Sequence, residues 1–316
     1  MREIVVNELS KSFSFYVNTG IFKRERRNKQ AVTGITFFAT EGDVVGIVGA
    51  NGAGKTTIVK MLAGVLKPDS GSIQIDGEDP FNRSLKYRNS VSITFGQKGK
   101  LHPDMSILES AELYGSMYGL NADVSKKRIK EIGKLLFLTE DEYPKQARAL
   151  SLGQRMKGEI CLSIINRPKI VFLDEPTLGL DISSTRCIRA FLKQYCIDNS
   201  AIAILTSHDL ADITETCSKL LVIEKGKSVF WGAINDLPSK FENNVTIDYS
   251  VKNNELVQII LSMFPDTINN NGVLSTSCKA AEVDKVLNAL YNIGEIVDLK
   301  IEDKPIERIL EELMHV

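Results

Sequence analysis

Gly49-Ala50-Asn51-Gly52-Ala53-Gly54-Lys55-Thr56 constrains this chain more than any other stretch. It follows the apolar run Val44-Val45-Gly46-Ile47-Val48 and leads into Thr57-Ile58-Val59-Lys60-Met61-Leu62, so the order is strand, glycine-rich loop, helix. Glycines let the loop backbone aim several N–H groups at one anion, and the helix start behind it adds partial positive charge. A glycine-rich turn that matched by accident would lack these flanks. The pattern puts Lys55 at the β- and γ-phosphates of a nucleoside triphosphate and the Thr56 hydroxyl at Mg²⁺. Backbone from Gly49 to Thr57 forms the rest of the cradle.

Such a loop needs a sheet behind it, and the chain can build one. Its 316 residues are 43% hydrophobic and 25% charged, which supports one large globular domain and a smaller one. Thirty-nine basic against 40 acidic residues give a net charge of −1, so no global basic field exists and nucleic acid is not an expected partner. Cys161, Cys187, Cys196, Cys217 and Cys278 form no CxxC pair and read as buried thiols of a reducing cytoplasm. The chain opens straight into Ile4-Val5-Val6, without an apolar leader, and no window reaches the ~18 apolar residues that a spanning helix needs. Work at a membrane would go through a partner.

Along the chain, Ile4–Val6 and Val32–Phe38 read as short strands before the one entering the loop. Between them the basic cluster Lys23, Arg24, Arg26, Arg27 and Lys29 reads as the solvated tip of a hairpin. Ser72–Gly77 and Val91–Gly96 are further strands. From about residue 106 to 167 the periodicity turns helical, in three helices of which the third spans Gln154–Asn166. Ile170-Val171-Phe172-Leu173 is apolar throughout, as a strand buried on both faces must be. A helix over 183–198, a strand over 201–206, a short helix from Asp209, a strand over 220–223 and a hairpin around Gly226 complete the alternation. Beyond about residue 241 the texture changes to a β-α-β-α-β-α order, a small α+β domain with a ferredoxin-like arrangement as one option. Within it Asn269-Asn270-Asn271-Gly272 reads as a turn.

Chemistry collects where strands end. Asp174 and Glu175 close the strand 170–173; the first acid fits a Mg²⁺-directed carboxylate, and the second can polarise a water attacking the γ-phosphate. His208 closes the strand 201–207, at the edge where parallel sheets bind ligands. Gln97 closes another, with an amide in reach of Mg²⁺ or water. Ser151, in Leu150-Ser151-Leu152-Gly153-Gln154, is a natural N-cap, and the helix start it caps is a second anion site. Two phosphate-seeking helix starts for one nucleotide imply that the second serves a nucleotide held by another copy.

In this order the motifs resemble those of the ATP-binding subunits of ABC transporters, over residues 1 to about 240: GANGAGKT, Gln97, SLGQ, IVFLDE, Gly179-Leu180-Asp181 and His208. The resemblance implies an α/β P-loop NTPase with a RecA-like core. An N-terminal β subdomain, a helical insertion over about 88–165 and the accessory domain 241–316 surround that core. It implies ATP and Mg²⁺ as ligands, with Thr56, Asp174 and Gln97 toward the metal, Glu175 as catalytic base and His208 as γ-phosphate sensor. It also implies a head-to-tail dimer in which Ser151, Gly153 and Gln154 of one subunit close over the ATP of the other, Asp181 links the two, and Phe13 lies where an aromatic meets adenine. Core packing of Phe13 is the competing reading. Leu152 departs from the family's glycine at that position; the N–H is kept while the approach narrows. SLGQRM with an accessory domain is similar to the branch serving ABC-2-type exporters, whose permease is a separate polypeptide. The expected place is the cytoplasmic face of the membrane.

Soluble relatives acting on DNA or ribosomes would show long heptad insertions or two cassettes, and a GTPase switch would show an Asn/Thr-Lys-x-Asp guanine signature. None of these is present in the sequence. The transported substrate is not written in this chain, because its contacts belong to the permease.

Overall fold

Ile35, Phe37 and Ala39 are buried while Thr36 and Phe38 between them are less so, the period of two that puts one strand face on a core. In the computed structural model this segment belongs to β2 (Arg24–Thr40), which pairs antiparallel with β1 (Glu3–Asn18). Residues 2–18, 24–95, 99–207, 209–240, 244–251, 253–270, 272–279, 282–294, 296–303 and 306–314 are described. The two strands are far longer than the short runs expected, because beyond the body of the protein they continue to pair with each other. The basic residues Arg24, Arg26, Arg27 and Lys29 therefore stand on β2, with Thr19–Lys23 outside the described residues.

After β3 (Val44–Val48) and α1 (Lys55–Leu62), β4 (Ser70–Ile75) returns to the outer side of β1 and makes a three-stranded sheet β2-β1-β4. Next come α2 (Leu85–Ser90), β5 (Val91–Phe95), α3 (Ile107–Met117), α4 (Ala122–Leu135) and α5 (Leu152–Ser163). Then follow β6 (Ile170–Asp174), α6 (Ile182–Asn199), β7 (Ile202–Thr206), α7 (Leu210–Thr216), β8 (Lys219–Glu224) and β9 (Lys227–Ala233). The main sheet runs β5-β6-β7-β3-β8-β9, parallel up to β8 and antiparallel at β9. Lys225 and Gly226, both at positive φ, turn β8 into β9 as a two-residue type I′ loop does.

α1 shares one core with the inner faces of both sheets. Ile58 and Leu62 lie among Ile4, Ile35 and Phe37 of the antiparallel sheet and Ile47, Phe172 and Ile204 of the parallel one. A fully buried Phe172 contributes about 2 kcal/mol by removal of its surface from water. That core fixes where α1 begins, and so where the loop before it sits. The helical block contains β5, which belongs to the main sheet, so its helices begin only at Ile107.

The chain divides into Met1–Ile234 and Asn235–Val316, six residues before the expected boundary. In the second unit α8 (Leu237–Lys240) packs against α11 (Ile306–Met314), which explains why 235–240 go with it. Between them lie β10 (Asn244–Val251), α9 (Asn254–Met263), β11 (Ile268–Asn270), β12 (Val273–Lys279), α10 (Val283–Ile293) and β13 (Ile296–Asp303). Their antiparallel sheet is ordered β11-β12-β10-β13, around a core of Ile247, Tyr249, Ile260, Leu274 and Leu290. The expected three strands are thus four in β-α-β-β-α-β order, the arrangement called ferredoxin-like. The asparagine-rich stretch holds the expected turn at Gly272, where φ is 93° and the N–H donates to Asn269 Oδ1, and also ends the extra strand, because Ile268, Asn269 and Asn270 pair with Ser275, Leu274 and Val273.

Candidate active site

β3 ends at Val48 and the loop turns at once. At Gly49 a side chain would run into the Ile223 carbonyl, and at Gly54, where φ is 115°, a Cβ would sit 2.5 Å from the Ala31 carbonyl oxygen. Only glycine fits both places. Gly54 is the N-cap of α1 and has no capping side chain, so the first N–H groups of the helix are left for an anion. The Lys55 ammonium is nearly buried and donates to the Gly49 carbonyl at 2.6 Å, closing the loop on itself. Burial lowers its pKa below the ordinary lysine value, against the opposing pull of Glu175 and Asp174. Negative phosphate oxygens would relieve that desolvation.

β6, β7 and β3 are parallel neighbours, so their C-terminal ends share one edge, with Asp174 in register with Thr206 and Thr206 with Ile47. Thr206 donates its hydroxyl to Asp174 Oδ1 at 2.6 Å, and the Thr56 hydroxyl lies 3.3 Å from both carboxylate oxygens. The Glu175 N–H donates to both the carbonyl and the Oγ1 of Thr206, each at 3.1 Å, and holds Glu175 at φ 55°, in the left-handed region. A carboxylate and a hydroxyl converging in this way are the hard oxygen donors that Mg²⁺ takes alongside phosphate oxygens and water. Among the described residues no cluster of three or more His, Cys, Asp or Glu forms an all-protein metal cage.

A cavity of about 310 Å³ lies over the loop, bounded by Asn51, Gly52, Gly54, Lys55, Thr56, Thr57 and Glu175, with Phe13, Lys29 and Ala31 of the hairpin as its far wall. Phe13 is 41% exposed and takes no part in the core, so the packing alternative for it fails. A second cleft of about 830 Å³ separates Thr56, Asp174 and Glu175 from Leu152, Arg155 and Met156 of α5. The structure thus gathers Lys55, Thr56, Glu175 and Phe13 around one cavity, with Asp174 behind Thr56 in the adjoining cleft, and Ser151 is not among the residues lining the cavity.

α5 begins two residues earlier than the periodicity suggested, at Leu152. Ser151 Oγ accepts from the Gln154 N–H at 3.2 Å, and Gln154 Oε1 accepts from the Ser151 N–H at 2.8 Å, a capping box. The Gln154 amide also donates to Glu142. This side chain is therefore committed to its own subunit, while the Ser151 O–H remains able to donate. Gly153 sits so close to Ser184 and Asp181 that any side chain there would strike them. Asp181 caps α6, accepting from Ser183 Oγ, Ser184 N and Ser184 Oγ at 2.6 to 2.8 Å. Those bonds, the Ser183 hydroxyl first, pull its carboxyl pKa well below the usual range. Leu152 is 42% exposed and lies beside Gly179. Gln97 and His208 lie outside the described residues.

Two residues escaped the sequence reading. Thr206 stands two residues before His208 in the sequence; its signal, a hydroxyl ending a core strand, is legible only once β7 is set beside β6. In the sequence Lys29 is one of a run of basic residues. Of the cysteines, Cys161, Cys196 and Cys217 are buried, and burial pushes the Cys196 thiol up to about 12, while Cys187 and Cys278 are half-buried.

Fold and site together define a P-loop nucleoside triphosphatase. The ABC transporter family matches residues 32–178. The ABC transporter ATP-binding protein NatA of Bacillus subtilis (strain 168) is 32% identical over 216 residues, covering 68% of this chain and 87% of NatA. The linearmycin resistance ATP-binding protein LnrL of the same organism is 28% identical over 297 residues, covering 91% of this chain and 94% of LnrL. The dimeric post-hydrolysis structure of the ATP-binding cassette MJ0796 with ADP and Pi superposes with a TM-score of 0.62 at 21% identity, over 73% of this chain and 98% of that one. The chain belongs to the ABC transporter ATP-binding proteins and is an ATP-binding ATPase.

Proposed function

We propose that this chain is the energising subunit of an exporter. It sits on the cytoplasmic face of the membrane, and two copies bind and hydrolyse ATP to drive a separate permease. The observation that carries the reading is the separation of two anion-directed helix starts within one chain. That of α1 opens into the loop cavity; that of α5, with Ser151 and Gly153, does not line it. A second copy in head-to-tail contact supplies the missing wall. Among the described residues no helix is long and apolar enough to cross a membrane, which fits a permease on another polypeptide. Export is favoured by the similarity to the Nod factor export ATP-binding protein I of Ralstonia nicotianae, 33% identical over 215 residues, covering 68% of this chain and 66% of that one, and the similarity to the linearmycin resistance ATP-binding protein reaches into the second unit.

Within the site the backbone from Gly49 to Thr57 and the Lys55 ammonium hold the triphosphate, and Phe13 faces the base. Thr56 and Asp174, with Gln97 as a further donor, would hold Mg²⁺, which would supply charge neutralisation to the triphosphate. Glu175 accepts a proton from the attacking water, and His208 takes the role of γ-phosphate sensor. Ser151 and Gly153 donate to the partner's nucleotide, Gln154 keeps their helix start in shape, and Asp181 lies at the same seam. The helices from Ile107 to Ser163 carry the permease contact. The test is cross-linking of the chain in its native membrane, with mapping of both partners. A polytopic membrane protein attached within 107–163 is expected. Links only to ribosomal proteins or DNA overturn the transport reading, and links confined to 235–316 overturn the placing of the contact.

A further inference from the structure

Of the cations near the nucleotide cavity, Lys55 is committed to the loop carbonyls, and Lys11, 6.0 Å from the Phe13 ring centre, is paired with Asp69 at 2.6 Å. Lys29 differs. It stands directly opposite Phe13 in the β1–β2 register, so both side chains leave the same face of the hairpin, and both line the cavity with Asn51, Gly52 and Gly54. Its ammonium has no hydrogen-bond or ion-pair partner among the described residues. Arg24, Arg26 and Arg27 lie farther out on the strand, away from the loop, so among the described residues of that basic cluster Lys29 alone lines the cavity.

The cavity has a direction. Thr56 and Glu175 mark the end where the terminal phosphates lie, and the hairpin wall marks the nucleoside end. A lysine on that wall, beside the residue facing the base, meets the first phosphate after the ribose. We propose that Lys29 is a binding residue of the nucleotide site whose ammonium pairs with the α-phosphate, so that the hairpin grips the nucleotide by charge as well as by its aromatic ring. A point charge on a flexible stem suits an oxyanion with no fixed orientation. This rests on the nucleotide site described above.

Equilibrium binding of ADP, AMP and adenosine to the full chain and to its Lys29→Met and Lys29→Arg variants tests it, since none of the three ligands is turned over. Lys29→Met should weaken ADP and AMP alike, by roughly tenfold for loss of one charge-assisted contact, and leave adenosine unchanged. Lys29→Arg should recover most of the loss, and thermal melting should stay put because the side chain is exposed. Equal affinities in Lys29→Met show a solvated lysine and overturn the proposal. Loss for ADP but not AMP places the contact on the β-phosphate and overturns the assignment; equal loss for adenosine shows an effect through Phe13 and the base, and also overturns it. Failure of the unsubstituted chain to bind ADP would instead remove the underlying nucleotide site.

Discussion

Replacing Thr206 with valine keeps the shape of a buried side chain and deletes one hydroxyl. That hydroxyl donates to Asp174 Oδ1 at 2.6 Å and accepts from the Glu175 N–H at 3.1 Å. A hydrogen bond to a charged group contributes about 1.5–3 kcal/mol where water cannot replace it. The Glu175 N–H retains the Thr206 carbonyl as acceptor, so its share of the loss is about zero. Thr206 is fully buried, and the expected destabilisation is about 2 kcal/mol, read as a lower denaturation midpoint with unchanged slope. Function should fall differently. Asp174 loses the bond that aims it at Thr56, so the Mg²⁺ concentration for half-maximal ATPase activity should rise by about tenfold, the equivalent of 1.4 kcal/mol. Metal-free nucleotide binding should not change. The assays are urea unfolding and ATPase rate against free Mg²⁺; a Thr206→Val protein with both curves unmoved would show that Asp174 is positioned by something else.

The other expectations concern the same edge and the second unit. Lys55→Ala should abolish hydrolysis, by a hundredfold or more at roughly the scale of a lost transition-state donor, and weaken ATP binding; full turnover would remove Lys55 from the mechanism. Glu175→Gln should bind Mg·ATP, form an ATP-dependent dimer on size exclusion and release little phosphate, and near-normal turnover there would place the base elsewhere. Asp174→Asn should instead lose Mg·ATP binding itself, so an Asp174→Asn protein that dimerises on ATP like Glu175→Gln contradicts the division between the two acids. A chain ending at Ile234, where the first unit ends, should still bind ATP in equilibrium dialysis, and a folded but non-binding product would give the second unit a part in the site. Asp212→Asn should cost about 3 kcal/mol in chemical unfolding, because Asp212 is buried and pairs with Arg189 at 2.5 Å while accepting from Ser207 at 2.8 Å. A midpoint within error of the parent would show that the existing pairs of Arg189 with Glu215 and Asp209 suffice to hold it.

What was legible in the sequence is what lies close together in it. The loop from Gly49 to Thr56 carries its own context, and Asp174 follows a strand whose apolar run marks burial on both faces. Ser151 and Gln154 spell a helix cap in four consecutive residues. What was not legible depends on pairing between distant segments. Thr206 gains its partner from the parallel register of β6 and β7, and Lys29 reaches the cavity because β1 and β2 run on as a ribbon past the rest of their sheet. β11 has a turn-like composition and becomes a strand only because β12 offers it an edge. Asp181, read as a link across the dimer, has a local job first: three hydrogen bonds from the start of α6.

The hairpin has one more consequence. β4 supports β1 only as far as Ser10, and Asp69 adds bonds to Lys11 and Ser12; from Phe13 outward the two strands pair, among the described residues, only with each other. A two-stranded ribbon opens at lower free energy than the three-stranded part, so its amides should exchange with deuterium sooner. The wall proposed to face the base is thus less braced than the inner half of the same strands, and some binding energy should go into stilling it. Nucleotide should slow exchange along Phe13–Val17 and Glu25–Lys29 while leaving Ile4–Leu9 as it was, and affinity should respond to how well the ribbon holds together even at rungs that never touch the ligand.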